Sequence, residues 1–399
     1  MAGGPLDGVR VLDLTTVVVG PICTRTLADQ GAEVIKVEAP GGDLLRTMAH
    51  GSRNRGMSGK FINFNRNKRS IVLDLKKPAG LDAIRRLAAR ADVFVSNVRP
   101  EGLARAGLDF ARLSRDNPRL IHCSILAFGR GGPYFGRPAY DPIVQSLSGV
   151  AGTFERATGE PRFVPMVMTD HVTGLIAAQC IGFALYRREK TGRGEAIDVP
   201  MFENMASFVM SEHLAAATFD PPVGPTGDGR LLSPDYRPLP TLDGYITVGP
   251  NTNPQAFAFF DAIGRPELKT DPRFDSAASR TANAAAYFEV RKTGLAKKTT
   301  AEWLAIFEKL DVPAARYNSI DDLLSDPHLV ASGFFREEAH PSEGKLRRTR
   351  VANRFSGGER SDESHAPRLG EHTRAVLAEA GYSAAEIEAM LAERAAEAA

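Results

Sequence analysis

VRVLDLTTVVVGPICTRTLADQGAEVIKVE, residues 9–38, decides the fold class. Its ends, VRVLDLT (9–15) and EVIKVE (33–38), are short apolar runs with strand character, and TRTLADQGA between them reads as a helix. A strand, a helix and a strand in so short a span is the unit that joins parallel neighbours, since a tight turn can only reverse the chain. The rhythm continues outward. SIVLDL (70–75) is a strand, PAGLDAIRRLAARA a helix with proline near its start, and DVFVSNV (92–98) and RLIHCSILAFG (119–129) are further strands. A long helix is expected from about Asp170 to Lys190, then the turn TGRGE, the strand AIDV and a helix from Pro200. The expectation is an α/β protein built on an open, mostly parallel sheet with helices on its faces.

The chain of 399 residues exceeds one ordinary core. Composition changes at DPPVGPTGDGRLLSP (220–234), which reads as a linker. A strand pair in PLPTLDGYITVGP then opens a second domain that runs to about residue 325. Three segments follow: 1–220, the larger domain; 221–325, linker and smaller domain; and 326–399, a tail of short strands ending in a Glu/Ala-rich amphipathic helix.

A net charge of +2 gives no pull toward nucleic acid or acidic lipid, and 43% hydrophobic with 25% charged residues is ordinary for a soluble globular chain. Cys23, Cys123 and Cys180 are too far apart for a disulfide framework or a metal-ligand spacing, which suits a reducing, cytoplasmic setting. MAGGPLDGVR lacks a signal-peptide core, and VTGLIAAQCIGFALY is too short to span a bilayer comfortably before its charged RREK. The eight histidines form no ligand pair, so no metal is expected.

A nicotinamide or flavin enzyme would place glycines directly after the first strand, so that backbone can approach a pyrophosphate. Here TTVVVGP fills that turn with β-branched residues. The signatures HExxH, GxxxxGKS/T and GxSxG are absent as well. Asp170 is the candidate that remains. In RFVPMVMTDHVTGLIAA it stands where a strand-like apolar run meets the long helix. The commoner role for an aspartate there is N-cap, accepting from the first backbone N–H groups. The same position keeps a carboxylate anionic and ready to attack an acyl group. The basic run NRNKRS (65–70), with Arg53 and Arg55 upstream, suits phosphates or simply a solvated loop.

Taken in order, LDGVRVLDLTTVVVGP, GAEVIKVEAPGGD, NRNKRSIVLDLKKPAG, DVFVSNVRPEGLARAGL, NPRLIHCSILAFGRGGP, AYDPIVQSLSG, MTDHVTGLIAA and TGRGEAIDVPMFE resemble the class III CoA-transferases, the family of formyl-CoA transferase and the carnitine CoA-transferases. The resemblance implies a Rossmann-like large domain with a smaller α+β domain, and an interlocked homodimer. It implies acyl-CoA and carboxylic acid substrates, with coenzyme A as a thioester substrate and no tightly bound cofactor. It makes Asp170 the catalytic nucleophile. Val17 resembles the turn residue near the thioester. Leu73 and Lys76 match positions beside the adenine, Asn97, Val98 and Arg105 positions along the nucleotide half, and Tyr140 and Met201 positions near the pantetheine and reacting carbonyl. Val18, Ala39 and Pro138 depart from formyl-CoA transferase, which has a glutamine and two basic residues there, so Arg53, Arg69 or Arg99 would have to compensate. VGPNTNPQAF offers only Gly249 toward the family's glycine loop. The alternatives are a 2-methylacyl-CoA racemase, with Tyr140 standing where racemases carry histidine and His171 as a substitute base, a dinucleotide-dependent redox enzyme, and a non-catalytic CoA-binding protein.

Overall fold

A computed structural model describes residues 3–48, 51–358 and 363–399. The chain divides into two compact units: residues 1–148, 164–207 and 333–399 form the larger, and residues 149–163 and 208–332 the smaller.

Six parallel strands make the centre of the larger unit: β1 (Arg10–Leu14), β2 (Glu33–Glu38), β3 (Lys68–Leu73), β4 (Val93–Ser96), β5 (Ile121–Leu126) and β6 (Ala196–Pro200). Their order in space is β3-β2-β1-β4-β5-β6, with the closing two-residue strand Ala396–Glu397 antiparallel beside β3. That is the doubly wound order, in which the chain runs one way from β1 to β3 and then returns past β1 to β4. The crevice at the C-terminal ends of β1 and β4 is therefore where such a sheet binds ligands.

β4 and β5 are buried along their whole length, as expected of strands covered on both faces. On one face Leu12, Ile35, Ile71 and Phe94 pack under the helix Pro78–Ala88, whose N1 proline starts it without losing a needed N–H, and under the two C-terminal helices. On the other face lie α1 (Val19–Asp29) and α3 (Met168–Thr191), with the short α2 (Asp141–Leu147) preceding α3 in the chain. Gly174 lets α1 and α3 touch: a Cβ there would meet the Val19 carbonyl oxygen at 2.6 Å and Ile22 at 3.0 Å.

The smaller unit is α+β. A three-stranded antiparallel sheet, β7 (Leu239–Pro240), β8 (Tyr245–Val248) and β9 (Ala314–Arg316), packs with helices around Phe259, Phe260, Phe307 and the single tryptophan, Trp303. One of those helices is α4 (Ala284–Leu295). The apolar stretch before Asp170 is not a strand. Residues 161–167 have no strand partners and bend at Pro165–Met166, and Pro161 and Pro165 leave two of their nitrogens without a hydrogen to donate.

Candidate functional site

The β1–α1 turn, Thr15–Val18, is held from below by a buried polar network. Asp13 accepts from the Thr15 N–H at 3.0 Å, the Thr24 hydroxyl at 2.6 Å and the Lys68 ammonium at 3.1 Å. Lys36, wholly buried, donates to the Thr15 carbonyl and to Asp43 Oδ2, both at 2.9 Å, and Asp43 Oδ1 accepts from the Val17 N–H at 3.1 Å. Burial pushes the Asp13 carboxyl up, but Lys68 and Lys36 outweigh it and hold it below its ordinary range. Burial brings Lys68 down to about 8. From the β4 side, Asn97 brackets Thr16, accepting from its N–H at 3.1 Å and donating to its carbonyl at 2.9 Å. The result is a strained turn. Val17 has φ 66°, a left-handed value that costs a β-branched residue on the order of 1–3 kcal/mol.

Above this turn opens a cavity of about 290 Å³. Val17, Asn97, Val98, Tyr140, Asp170 and Met201, six of the nine positions marked in the sequence, line it. Arg105 lies on an adjoining groove that shares Val98, Arg99 and Gly136 with the cavity. Arg99 and Arg105 are exposed there and form no ion pair with any described residue. Leu73 and Lys76 are not brought to this cavity. Leu73 is wholly buried in the core at the end of β3, and Lys76 is exposed just beyond it. Two strand spacings, roughly 10 Å, separate that end from β1.

The basic run 65–70 faces inward rather than toward a ligand. Arg66 pairs with Asp29 at 2.7 Å, Lys68 with Asp13, and Arg69 with Glu33 and Glu379, each at 2.7 Å. Arg53 is likewise engaged, donating to the Glu343 carbonyl at 2.5 Å. Arg99 is thus the member of the compensating set that stands at the cavity.

Asp170 is the third residue of α3, not its cap. The capping position falls on Val167, which offers no side-chain acceptor. Asp141 does the work from outside the helix: its Oδ1 accepts from both the N–H and the hydroxyl of Thr169 at 2.7 Å. Gln145 fastens the same junction, donating to Asp141 Oδ2 at 2.7 Å and accepting from the Val164 N–H at 2.9 Å. Asp170 is left with 9% of its surface exposed, at the cavity wall, and no described residue hydrogen-bonds its carboxylate. Burial, then the nearby Asp141 charge, push its carboxyl up to about 7. The N-terminus of α3 pulls the other way, favouring the anion. His171 points elsewhere, packing edge-on against Phe64 at 5.7 Å.

The arrangement can present one buried carboxylate to an acyl group threaded in over the Val17 turn. Among the described residues there is no cluster of metal-ligating side chains, and no helix is long and apolar enough to cross a membrane. Sequence reasoning missed Asp141, Asp43 and Lys36. Asp141 had a local signal, an Asp-Pro pair opening a helix. The other two sit in unremarkable strand and loop contexts and are revealed only by their long-range partners.

Residues 6–373 match CoA-transferase family III. The mouse succinyl-CoA:glutarate CoA-transferase is 35% identical over 94% of this chain and 86% of its own length. The succinate–glutarate CoA-transferase of Agrobacterium fabrum is 32% identical over 94% of this chain and 95% of its own. The crystal structure of a CaiB/BaiF family protein from Brucella suis superimposes with a TM-score of 0.79 at 32% identity, covering 95% of this chain and all of that one. A doubly wound sheet whose first turn lacks phosphate-binding glycines, with a buried carboxylate at its crevice, therefore has a family to sit in: this chain is a member of CoA-transferase family III, an enzyme that moves coenzyme A between an acyl-CoA and a carboxylic acid.

Proposed function

We propose that the transfer runs through covalent intermediates on Asp170. The observation that carries this reading is a buried carboxylate that lines the cavity and has been relieved of capping by Asp141. An aspartate kept only to start the helix would spend its oxygens on backbone N–H groups.

The steps balance without a further reagent. The Asp170 carboxylate attacks the donor thioester carbonyl, and the C–S bond breaks to give an aspartyl–acyl anhydride and CoA thiolate. The thiolate attacks the aspartyl carbonyl, releasing the donor acid and leaving an aspartyl–CoA thioester. The acceptor carboxylate attacks that thioester, again freeing thiolate. Attack of the thiolate on the new acyl carbonyl forms the product acyl-CoA and restores Asp170. Each link is close in energy to a thioester, so no step needs a large driving force. Of the first-turn N–H groups of α3 and the amides of the Val17 turn, those of Asp170 and Val18 have no partner among the described residues and are the donors left for the oxyanions.

Val17, Tyr140 and Met201 would guide the thioester end of the pantetheine arm, and Asn97 and Val98 would line the nucleotide half. Arg99 and Arg105 would hold the phosphates as positioning charges, and Lys76, exposed just beyond the buried Leu73, would stand beside the adenine. The apolar Val17-Val18-Val19 turn suits a donor with a less polar acyl end. The relatives' names, succinyl-CoA and glutarate, put short dicarboxylic acids first for assay. We further propose a cytoplasmic homodimer, interlocked as in the family. Leu175, Phe183 and Tyr186 support it, exposing 52%, 64% and 67% of their surface on α3. Light scattering tests the dimer; a monomeric mass in solution would count against it. Turnover of succinyl-CoA with glutarate by wild type, and its absence in Asp170→Ala with CoA affinity retained, tests the catalytic reading.

A further inference from the structure

The smaller unit has a cavity of its own, of about 310 Å³, lined by Arg230, Arg280 and Arg291 and by no Asp or Glu. Arg280 is already committed. It is 4% exposed and donates to the Phe274 carbonyl at 2.9 Å, the Asn251 carbonyl at 3.2 Å and Asn253 Oδ1 at 2.9 Å. Arg291 is not. It projects from α4 with its guanidinium 5.6 Å from the Tyr287 ring centre and 5.3 Å from that of Phe288. One of its terminal nitrogens donates to the Val248 carbonyl, but its buried Nε has no partner. No acidic side chain among the described residues pairs with it. Burial lowers its affinity for the proton, and the neighbours that oppose this are Tyr287 and Tyr236 rather than a carboxylate. Arg230, exposed, reaches over Tyr236 at 5.7 Å.

A partly desolvated guanidinium without a counter-charge is costly, and an anion in the cavity would remove that cost. The planar fork of arginine matches a carboxylate in two-point contact. Tyr287, Phe288 and Ala284 offer apolar wall to a short hydrocarbon stem, which a hydrated inorganic anion would not use. We propose that this cavity binds the carboxylate of a small organic acid between Arg291 and Arg230, with its carbon stem against Tyr287 and Phe288. The choice of acid rests on the proposed transfer reaction; the binding itself does not depend on chemistry at Asp170.

Trp303 supplies a local reporter, being the only tryptophan and donating its indole N–H to the Leu295 carbonyl at 2.7 Å, one turn along α4 from Arg291. Full-length protein is titrated with glutarate, and separately with inorganic phosphate, while Trp303 emission is followed. A saturable glutarate response is expected, weakened about tenfold or more in Arg291→Met and severalfold in Arg230→Ala, with phosphate binding more weakly. Circular dichroism checks the fold of each variant, and the exposed Arg230 decides the matter if Arg291→Met does not fold. No saturable response in wild type, unchanged affinity in the folded variants, or tighter binding of phosphate than of glutarate would overturn the assignment. The same titration in Asp170→Ala should match wild type, so loss of turnover there leaves this site standing.

Discussion

Asp141 Oδ1 takes both the N–H and the hydroxyl of Thr169 at 2.7 Å, so the residue after Thr169 has no structural task at the helix start. That residue is Asp170, whose charge Asp141 also makes harder to form. Asp141→Asn keeps an acceptor for Thr169 and deletes the charge. The acid limb of kcat/KM, which should fall as pH drops through about 7 in wild type, is expected to move to lower pH in Asp141→Asn. Because burial is the larger cause, the limb should not return to that of a free aspartate. An unmoved limb would show that Asp141 acts by geometry alone. Asp141→Ala, which removes the cap as well, should cost about 1 kcal/mol of stability on top.

The same carboxyl makes a stability prediction with a definite sign. Its folded pKa, about 7, lies above the ordinary 3.8, so the folded state holds the proton more tightly than the unfolded one. Ionising it therefore weakens the fold progressively as pH rises from about 4 to about 7. Asp170→Asn removes that penalty. Its melting temperature relative to wild type should be clearly higher at pH 8 than at pH 4, as thermal denaturation across this range would show. A pH-independent difference would place Asp170 in an ordinary solvated environment.

Val17 is held at φ 66° through its hydrogen bond to Asp43, itself paired with Lys36. If that grip sets the turn against the acyl group, Asp43→Asn should lower kcat by about tenfold or more with a smaller change in KM. Val17→Gly adopts the left-handed conformation without strain. Adding Asp43→Asn to it should then cost much less than in wild type. Equal losses in both backgrounds would mean that Asp43 acts on stability in general and not through Val17.

Racemase chemistry makes a contrasting demand, since it needs a base at the α-carbon. Tyr140 is 64% exposed and His171 packs on Phe64 away from the cavity lining. Solvent deuterium should not enter the α-position of a 2-methylacyl-CoA, and His171→Ala should keep most of its transferase activity. Mass spectrometry after incubation in deuterium oxide reads the first point directly.

Much of the larger unit was legible because strand and helix each imprint a period on the sequence. The strands expected at 33–38, 92–98 and 119–129 contain β2, β4 and β5. Spatial order was not legible from periodicity, because the placing of β4 beside β1 rather than beside β3 leaves no mark on either strand. The basic run 65–70 misled for a related reason. Lys68 meets Asp13 across 55 positions, and a buried ion pair looks in sequence like two solvated charges. At Asp170 the start of a long helix was readable, and the choice between a capping and an uncapped carboxylate was not. Whether an aspartate caps its helix depends on whether another side chain has taken the N–H groups, and Asp141 does so from 28 residues away.

Trapping separates a covalent role of Asp170 from every other. The enzyme is incubated with succinyl-CoA, quenched with hydroxylamine and digested, and the peptide containing Asp170 is weighed by mass spectrometry. A hydroxamate at Asp170 is expected that requires the acyl-CoA and is absent without it. An unmodified Asp170 in enzyme that is turning over the same donor would contradict the covalent role.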